Sequence, residues 1–111
     1  MRFEFGTVIL VPFPFTSLVA SKRRPAVVVS KFTYGLIRGD VVVMAVTSQM
    51  RANETLGDVP VLDWREAGLL KPSVIKPVFA TLAQSLVLRT LGMLQPSDQT
   101  VLRTAIAGLI G

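Results

Sequence analysis

The amino-acid sequence predicts an α+β fold, in which a small curled sheet or barrel is followed by one docked helix. Short β-rich runs, separated by Pro, Gly and polar residues, fill most of the chain, and an amphipathic helical pattern closes it. Strands first and a helix last are typical of the α+β class. We expect residues 1–111 to form a single domain, because a chain of 111 residues suits one hydrophobic core.

Five strands are predicted in chain order. The first, within "TVILVPFPF" after Gly6, should end or lie at a sheet edge at Pro12 and Pro14, because proline cannot donate a ladder hydrogen bond. The second, "PAVVVSK", begins at Pro25, and the third, "DVVVMAV", is apolar on both faces and is therefore predicted to be buried. "DVPVL" is a short fourth strand, and "SVIKPVFATL" is a fifth that Pro77 should break.

The segments between and after these strands carry weaker patterns. "FTYGLIRG" is interpreted as a connection with turn glycines, and "DWREAG" as one helical turn closed by Gly68. "AQSLVLRTLGML" is ambiguous, with a short helix before Gly92 as one interpretation. Pro96 and Asp98 favour the start of the last helix. One face of that helix carries Val101, Leu102, Ala105, Ile106 and Leu109.

Composition excludes several kinds of site. The chain has no cysteine and no histidine, which excludes disulfides, thiolate metal sites, a cysteine nucleophile and a Ser-His-Asp triad. Its seven carboxylates are scattered, so we expect no metal and no other cofactor. The net charge of +5 favours nucleic acid or an acidic protein as partner, although mild basicity is also common in small soluble proteins.

Nothing in the sequence indicates a membrane protein. No apolar run approaches the roughly 20 residues of a membrane span. The N-terminal "MRFEFG" lacks the apolar core of a secretion signal. We therefore expect a cytoplasmic protein that does not contact a membrane.

Four segments carry a family resemblance when they are taken together in order. They are "VILVPFPFTSLVASKRRPAVVVS", "VVVMAVTSQ", "LDWREAGLLKPSVIK" and "LRTLGML". This series, over roughly residues 6–110, resembles the PemK/MazF family of type II toxins. The most specific parts are the Arg-Pro before a valine-rich strand and the Thr-Ser-Gln that ends the next long strand.

The resemblance implies the fold and the activity. The fold would be a small SH3-like β-barrel of the CcdB/Kid/MazF type with a C-terminal amphipathic helix. The activity would be that of a toxin that cleaves single-stranded RNA, including mRNA, at short sequences without a metal and so inhibits growth. Its partners would be a cognate acidic antitoxin and a second copy of the chain. A homodimer is also favoured because half the residues are hydrophobic, which is more than so short a chain needs for its own core.

Two residues match the catalytic pair of the family. Arg24, immediately before Pro25, matches the catalytic arginine, and Thr47, at the end of the adjacent strand, matches the catalytic threonine. In the implied reaction the 2′-hydroxyl attacks its own phosphate and leaves a 2′,3′-cyclic phosphate. A planar guanidinium can bind two phosphoryl oxygens of that group at once. Six further residues are candidates for RNA binding: Lys22, Arg23, Ser48, Gln49, Arg51 and Lys76.

Departures from the family keep alternatives open. The loop "TSLVASKRR" contains no acid, and Lys76-Pro77-Val78 stands where Kid-like toxins have Arg-x-Asp, so no general base is identified. Two competing functions remain. One is a non-catalytic toxin that poisons gyrase as CcdB does, and the other is a plain nucleic-acid-binding barrel. The polar candidates could also be solvated loop residues. Trp64 and Phe79 could stack on bases, but packing in a core or interface is favoured for both.

Overall fold

The computed structural model describes residues 2–12, 23–48 and 56–111. Within these ranges the chain forms strands, two α-helices and one short 3₁₀ turn at Gln84–Leu86. The helices are α1 (Phe32–Arg38) and α2 (Pro96–Ile110), and neither is long and apolar enough to cross a membrane. The strands are β1 (Thr7–Pro12), β2 (Arg23–Val28), β3 (Asp40–Thr47), β4 (Val59–Val61), β5 (Ser73–Ala83) and β6 (Arg89–Met93).

The described strands form one antiparallel sheet in the order β4-β5-β3-β2-β1-β6. The sheet curls into a half-barrel, and α2 packs against one of its faces, which confirms the predicted α+β class. β1 is described as far as Pro12, and the prediction for Pro14 falls outside the described residues. β3 pairs with β2 on one side and with β5 on the other, so the strand that looks most apolar in the sequence lies inside the sheet.

Alternation along the strands divides the buried side chains into two clusters, one on each face of the sheet. Ile9, Ala26 and Val43 belong to the first cluster, while Val8 and Val27 belong to the second. Successive strand residues point to opposite faces, so β1, β2 and β3 contribute to both clusters. This confirms that the third predicted strand is buried on both sides.

Helix α2 covers the second cluster, although its buried stripe is narrower than the sequence predicts. Leu102 is fully buried in that cluster, and Ala105 and Ile106 pack against it half-buried. Val101 and Leu109, which the helical pattern assigns to the same face, are exposed. Asp98 is also buried, and its two carboxylate oxygens accept backbone N–H bonds from Leu62 and Asp63 at 3.2 and 2.9 Å. The first turn of α2 is thereby tied to the segment after β4.

One predicted connection and one ambiguous segment form regular elements. "FTYGLIRG" is helix α1, which ends where Gly39 adopts φ 74° and donates its N–H to the Gly35 carbonyl. Gly35 is buried against the side chain of Gln84, so this glycine serves close packing rather than a turn. In "AQSLVLRTLGML" the predicted short helix is only the 3₁₀ turn. Gly92 lies inside β6, because pairing with β1 decides the conformation of this segment.

Pro77 disturbs the sheet without ending its strand. β5 runs on through Pro77, whereas the sequence predicts a break there. The pairing with β3 shifts at this point, since Met44 lies opposite Phe79 but Val46 lies opposite Ile75. The extra β5 residues form a bulge, which allows a strand to contain a residue without a backbone N–H.

The segment 63–69, called here the Trp64 turn, forms the predicted single helical turn. Gly68 closes it with φ 87°, and the Leu69 N–H donates to the Trp64 carbonyl at 3.0 Å. A Cβ at Gly68 would collide with the carbonyl oxygen of Leu91 in β6. The glycine therefore serves two purposes, a left-handed backbone and direct backbone packing of the turn on β6.

Candidate active site

A cleft of about 400 Å³ opens where β2 begins and β3 ends. β2 contributes Arg23, Arg24 and Pro25 to its lining, and the end of β3 contributes Thr47 and Ser48. The Trp64 turn, the residues that follow it and β6 form the remaining wall. The cleft thus joins parts of the chain that are far apart in sequence.

Strand register brings the two predicted catalytic residues together. Ala26 of β2 lies opposite Ala45 of β3. This is the outermost pair of the two strands at that end, and Arg24 and Thr47 each lie two residues beyond it. Both residues stand at strand ends and line the same cleft. The topology of the sheet therefore brings them to one rim.

The guanidinium of Arg24 has a buried N–H donor without an acceptor among the residues that the structure describes. Its Nε atom is buried, and no other residue of the described ranges accepts a hydrogen bond from it. A buried donor left without an acceptor costs about 1–3 kcal/mol, and more when the group is charged. The arrangement is therefore suited to an acceptor that enters the cleft, such as an oxygen of an anionic ligand.

The cleft is strongly basic. Lys71 and Arg89 line it together with Arg23 and Arg24, and no carboxylate belongs to its described lining. Four neighbouring cations without a counter-ion raise the positive potential of the cleft and favour an anionic ligand. Across the described ranges, no group of three or more acidic residues could hold a metal ion.

The other predicted binding residues divide into three groups. Ser48 lies in the cleft lining next to Thr47, as Arg23 lies next to Arg24. Lys76 is absent from that lining, and its ammonium pairs with the buried Asp58 at 2.8 Å. The predictions for Lys22, Gln49 and Arg51 fall outside the described residues. The two aromatic candidates, Trp64 and Phe79, are half-buried against the second core cluster.

Three polar residues of the cleft were not predicted from the sequence: Lys71, Ser73 and Arg89. Ser73 is buried and its hydroxyl donates to the Lys71 carbonyl at 2.8 Å, which fixes the backbone of Lys71. A local signal was present, because "KPSVI" repeats the pattern of a cation and a proline at the start of a strand that marks "RRPAVV". Arg89 has a weaker signal, since it only opens β6.

Comparison with known proteins decides the family. A family model described as "PemK-like, MazF-like toxin of type II toxin-antitoxin system" matches residues 4–110. The chain belongs to the PemK/MazF-like toxin family. The resemblance drawn from the sequence is thus confirmed. No curated protein matches the chain significantly.

Solved structures of PemK/MazF-like toxins share the fold over nearly all of the chain. The Mycobacterium tuberculosis toxin MazF-mt6 has a TM-score of 0.74 at 22% identity, covering 92% of this chain and 93% of that chain. MazF from Deinococcus radiodurans has a TM-score of 0.76 at 23% identity, covering 100% and 98%. An endoribonuclease from a mycobacterial species, solved with its cognate antitoxin, has a TM-score of 0.76 at 21% identity, covering 97% and 94%.

Proposed function

We propose that the chain is the toxin of a type II toxin–antitoxin pair and a metal-independent endoribonuclease that cleaves single-stranded RNA. The observation that carries the proposal is the buried, unpartnered Nε–H of Arg24, in a cleft that Thr47 also lines and whose described lining has cations and no acids. Membership of the family and the endoribonucleases among its structural relatives support it.

In this proposal Arg24 and Thr47 act on the scissile phosphate. The 2′-oxygen of the RNA bonds to phosphorus, and the bond from phosphorus to the 5′-oxygen breaks. A 2′,3′-cyclic phosphate and a 5′-hydroxyl result. The 2′-oxygen loses a proton, and the 5′-oxygen gains one. Negative charge builds on the non-bridging oxygens during the step, and a guanidinium fixed in the cleft stabilises that charge. The Thr47 hydroxyl donates to the same oxygens or contacts the attacking group.

The proton transfers need separate groups. Arginine keeps its proton under ordinary conditions and is a poor base, so Arg24 is assigned charge stabilisation alone. No carboxylate belongs to the described lining of the cleft. We therefore assign no general base.

The experiment that tests the function is cleavage of a long single-stranded RNA by the purified chain in EDTA. We expect cleavage to continue, with cyclic phosphate termini identified by mass spectrometry. Arg24→Lys should lower the rate by about 100-fold or more, because lysine has no planar fork to bind two oxygens. Arg38→Lys is the matched control, since Arg38 is exposed at the end of α1 and lies outside the cleft.

Three outcomes would overturn the proposal. Activity that disappears on chelation and returns with magnesium would contradict metal independence. RNA that binds without being cut would favour the plain nucleic-acid-binding alternative. A chain that neither binds nor cleaves RNA would favour a non-catalytic toxin.

The family also suggests two protein partners. We propose a homodimer with two-fold symmetry, formed through an apolar groove of about 650 Å³ between the sheet and α2. Phe5, Phe79 and Ile106 are among the lining residues of this groove.

We further propose a cognate acidic antitoxin, since a MazE–MazF complex from Deinococcus radiodurans is among the structural relatives. An acidic segment would fit the cations of the cleft and would compete with RNA. An acidic antitoxin segment that binds together with RNA, without weakening it, would contradict a shared cleft.

A further inference from the structure

The described cations of the cleft come from three different parts of the chain. Arg23 and Arg24 begin β2, whereas Lys71 precedes β5 and Arg89 begins β6. On β1, Leu10 lies opposite Pro25 of β2 on one side and opposite Arg89 of β6 on the other. Neighbouring strands are about 4.8 Å apart, so roughly 10 Å separates the backbone of Arg89 from that of Pro25. That separation suits two anionic groups better than one.

Lys71 and Arg89 are both attached to backbone that is packed in place. The Trp64 turn packs backbone to backbone on β6, where Gly68 meets the Leu91 carbonyl. The chain leaves this turn directly into Lys71, whose carbonyl accepts the hydroxyl of Ser73, a residue only 4% exposed. Both cations therefore project from backbone that tertiary packing holds in place, while their side chains remain exposed to a ligand.

Part of the cleft lining is apolar. Leu10 lies between Pro25 and Arg89 in the register of the sheet, and Leu69 and Leu91 line the same cleft. Placing a phosphate on such a surface would strip its water without replacing the lost hydrogen bonds. The flat face of a nucleobase can cover it without that cost.

We propose that Lys71 and Arg89 form a second phosphate subsite, so that the cleft binds one nucleotide with a phosphate on each side. Arg24 contacts one phosphate, the leucine surface contacts the base, and Lys71 with Arg89 contacts the other phosphate. This inference rests on the proposed function for its substrate class. It adds the requirement that the substrate carry a phosphate on each side of the bound nucleotide, which a single catalytic phosphate site would not impose.

The test is titration calorimetry of the full chain with nucleoside 3′,5′-bisphosphates, compared with the matching 3′- and 5′-monophosphates. These probes contain no bond to cleave, so binding is read without catalysis. We expect the bisphosphate to bind about tenfold more tightly than either monophosphate, because a second charge-assisted contact is added. Arg89→Gln and, separately, Lys71→Gln should each remove most of that advantage. Both side chains are exposed, so folding should be unaffected.

Arg38→Gln is the control for net charge, since it removes one cation outside the cleft and should leave the bisphosphate advantage unchanged. Equal affinity for bisphosphate and monophosphate would overturn the inference. So would an Arg89→Gln variant that matches the control.

The failure of this inference can be told apart from failure of the proposed function. If the unmodified chain cleaves RNA in EDTA but shows no preference for bisphosphates, only the second subsite is wrong. If bisphosphates are preferred but RNA is not cleaved, the endoribonuclease proposal is wrong. With both intact, Arg89→Gln should raise KM several-fold and leave kcat nearly unchanged, because the contact is made equally in the ground state and the transition state.

Discussion

At the scale of single residues, burial separates Arg24 from the other cations of the cleft. The side chains of Arg23, Lys71 and Arg89 are exposed, whereas Arg24 is half-buried and its Nε has no contact with water. Exposed cations attract a polyanion from a distance and hold it loosely. A half-buried guanidinium at a strand end stays in one orientation, which transition-state stabilisation requires. Arg24 therefore suits catalysis, and the exposed three suit binding.

Thr47 allows a test of a single hydroxyl. Thr47→Val keeps the β-branched shape that suits the end of β3 and replaces only the hydroxyl by a methyl group. We expect the cleavage rate at saturating RNA to fall by about 10–100-fold, because one donor to the developing charge is lost. Thr47→Ser should recover most of the rate. The measurement is single-turnover cleavage, with thermal unfolding as the check on folding. A Thr47→Val variant as fast as the unmodified chain would remove Thr47 from the catalytic pair.

At the scale of elements, the contact between the Trp64 turn and β6 shapes one wall of the cleft. Gly68 and Gly92 face each other across it, and a Cβ on either would collide with a carbonyl of the opposite element, that of Leu91 or of Ala67. The backbones can approach this closely only because both positions lack a side chain. The position of Lys71 relative to Arg89 depends on this contact.

Alanine substitutions at three glycines test the contact. Gly68→Ala and Gly92→Ala should each lower the free energy of unfolding by about 2 kcal/mol or more, through steric overlap and, at Gly68, a positive φ. Gly108→Ala is the control, because this glycine lies in α2 with nothing within 4 Å of its added Cβ. It should raise the free energy of unfolding by up to about 1 kcal/mol. Urea unfolding measures all three, and a Gly68→Ala variant as stable as Gly108→Ala would contradict the packing described.

At the scale of the whole molecule, the two candidate interaction surfaces lie at opposite ends of the central strands. The cleft forms where β2 begins and β3 ends. The apolar groove includes Val29, just after the end of β2, and Val42, near the start of β3. The proposed RNA cleft and the proposed dimer interface therefore share no described lining residue. The groove is apolar with Lys31 and Arg103 beside it, which distinguishes it from the cleft.

A charge placed in the groove tests the proposed homodimer. Ile110 lines the groove and is 68% exposed, so Ile110→Glu should leave the monomer folded. If the groove is the dimer interface, dimerisation would bury the carboxylate introduced by Ile110→Glu without a partner. The dimer should therefore dissociate. Ile37→Glu is the matched control, because Ile37 is 83% exposed on α1. Light scattering at micromolar concentration should show twice the 12.0 kDa monomer mass for the unmodified chain and for Ile37→Glu. A monomeric unmodified chain, or a dimeric Ile110→Glu variant, would contradict this interface.

The sequence by itself determined the features that arise from local pattern. Continuous valine-rich runs predicted β2 and β3, and Pro96 with Asp98 predicted the start of α2. The juxtaposition of Arg24 and Thr47 was also predictable, because both stand at the ends of adjacent strands. Periodicity and strand ends are local properties, so a sequence is sufficient to find them.

Only the tertiary structure decided which other residues line the cleft and which glycines serve close packing. Lys71 and Lys76 stand close together on the chain, yet Lys71 lines the cleft and Lys76 pairs with Asp58. Gly35 and Gly92 look like turn residues, but close packing against distant segments explains both. Their roles depend on partners many residues away, and local pattern carries no information about those partners.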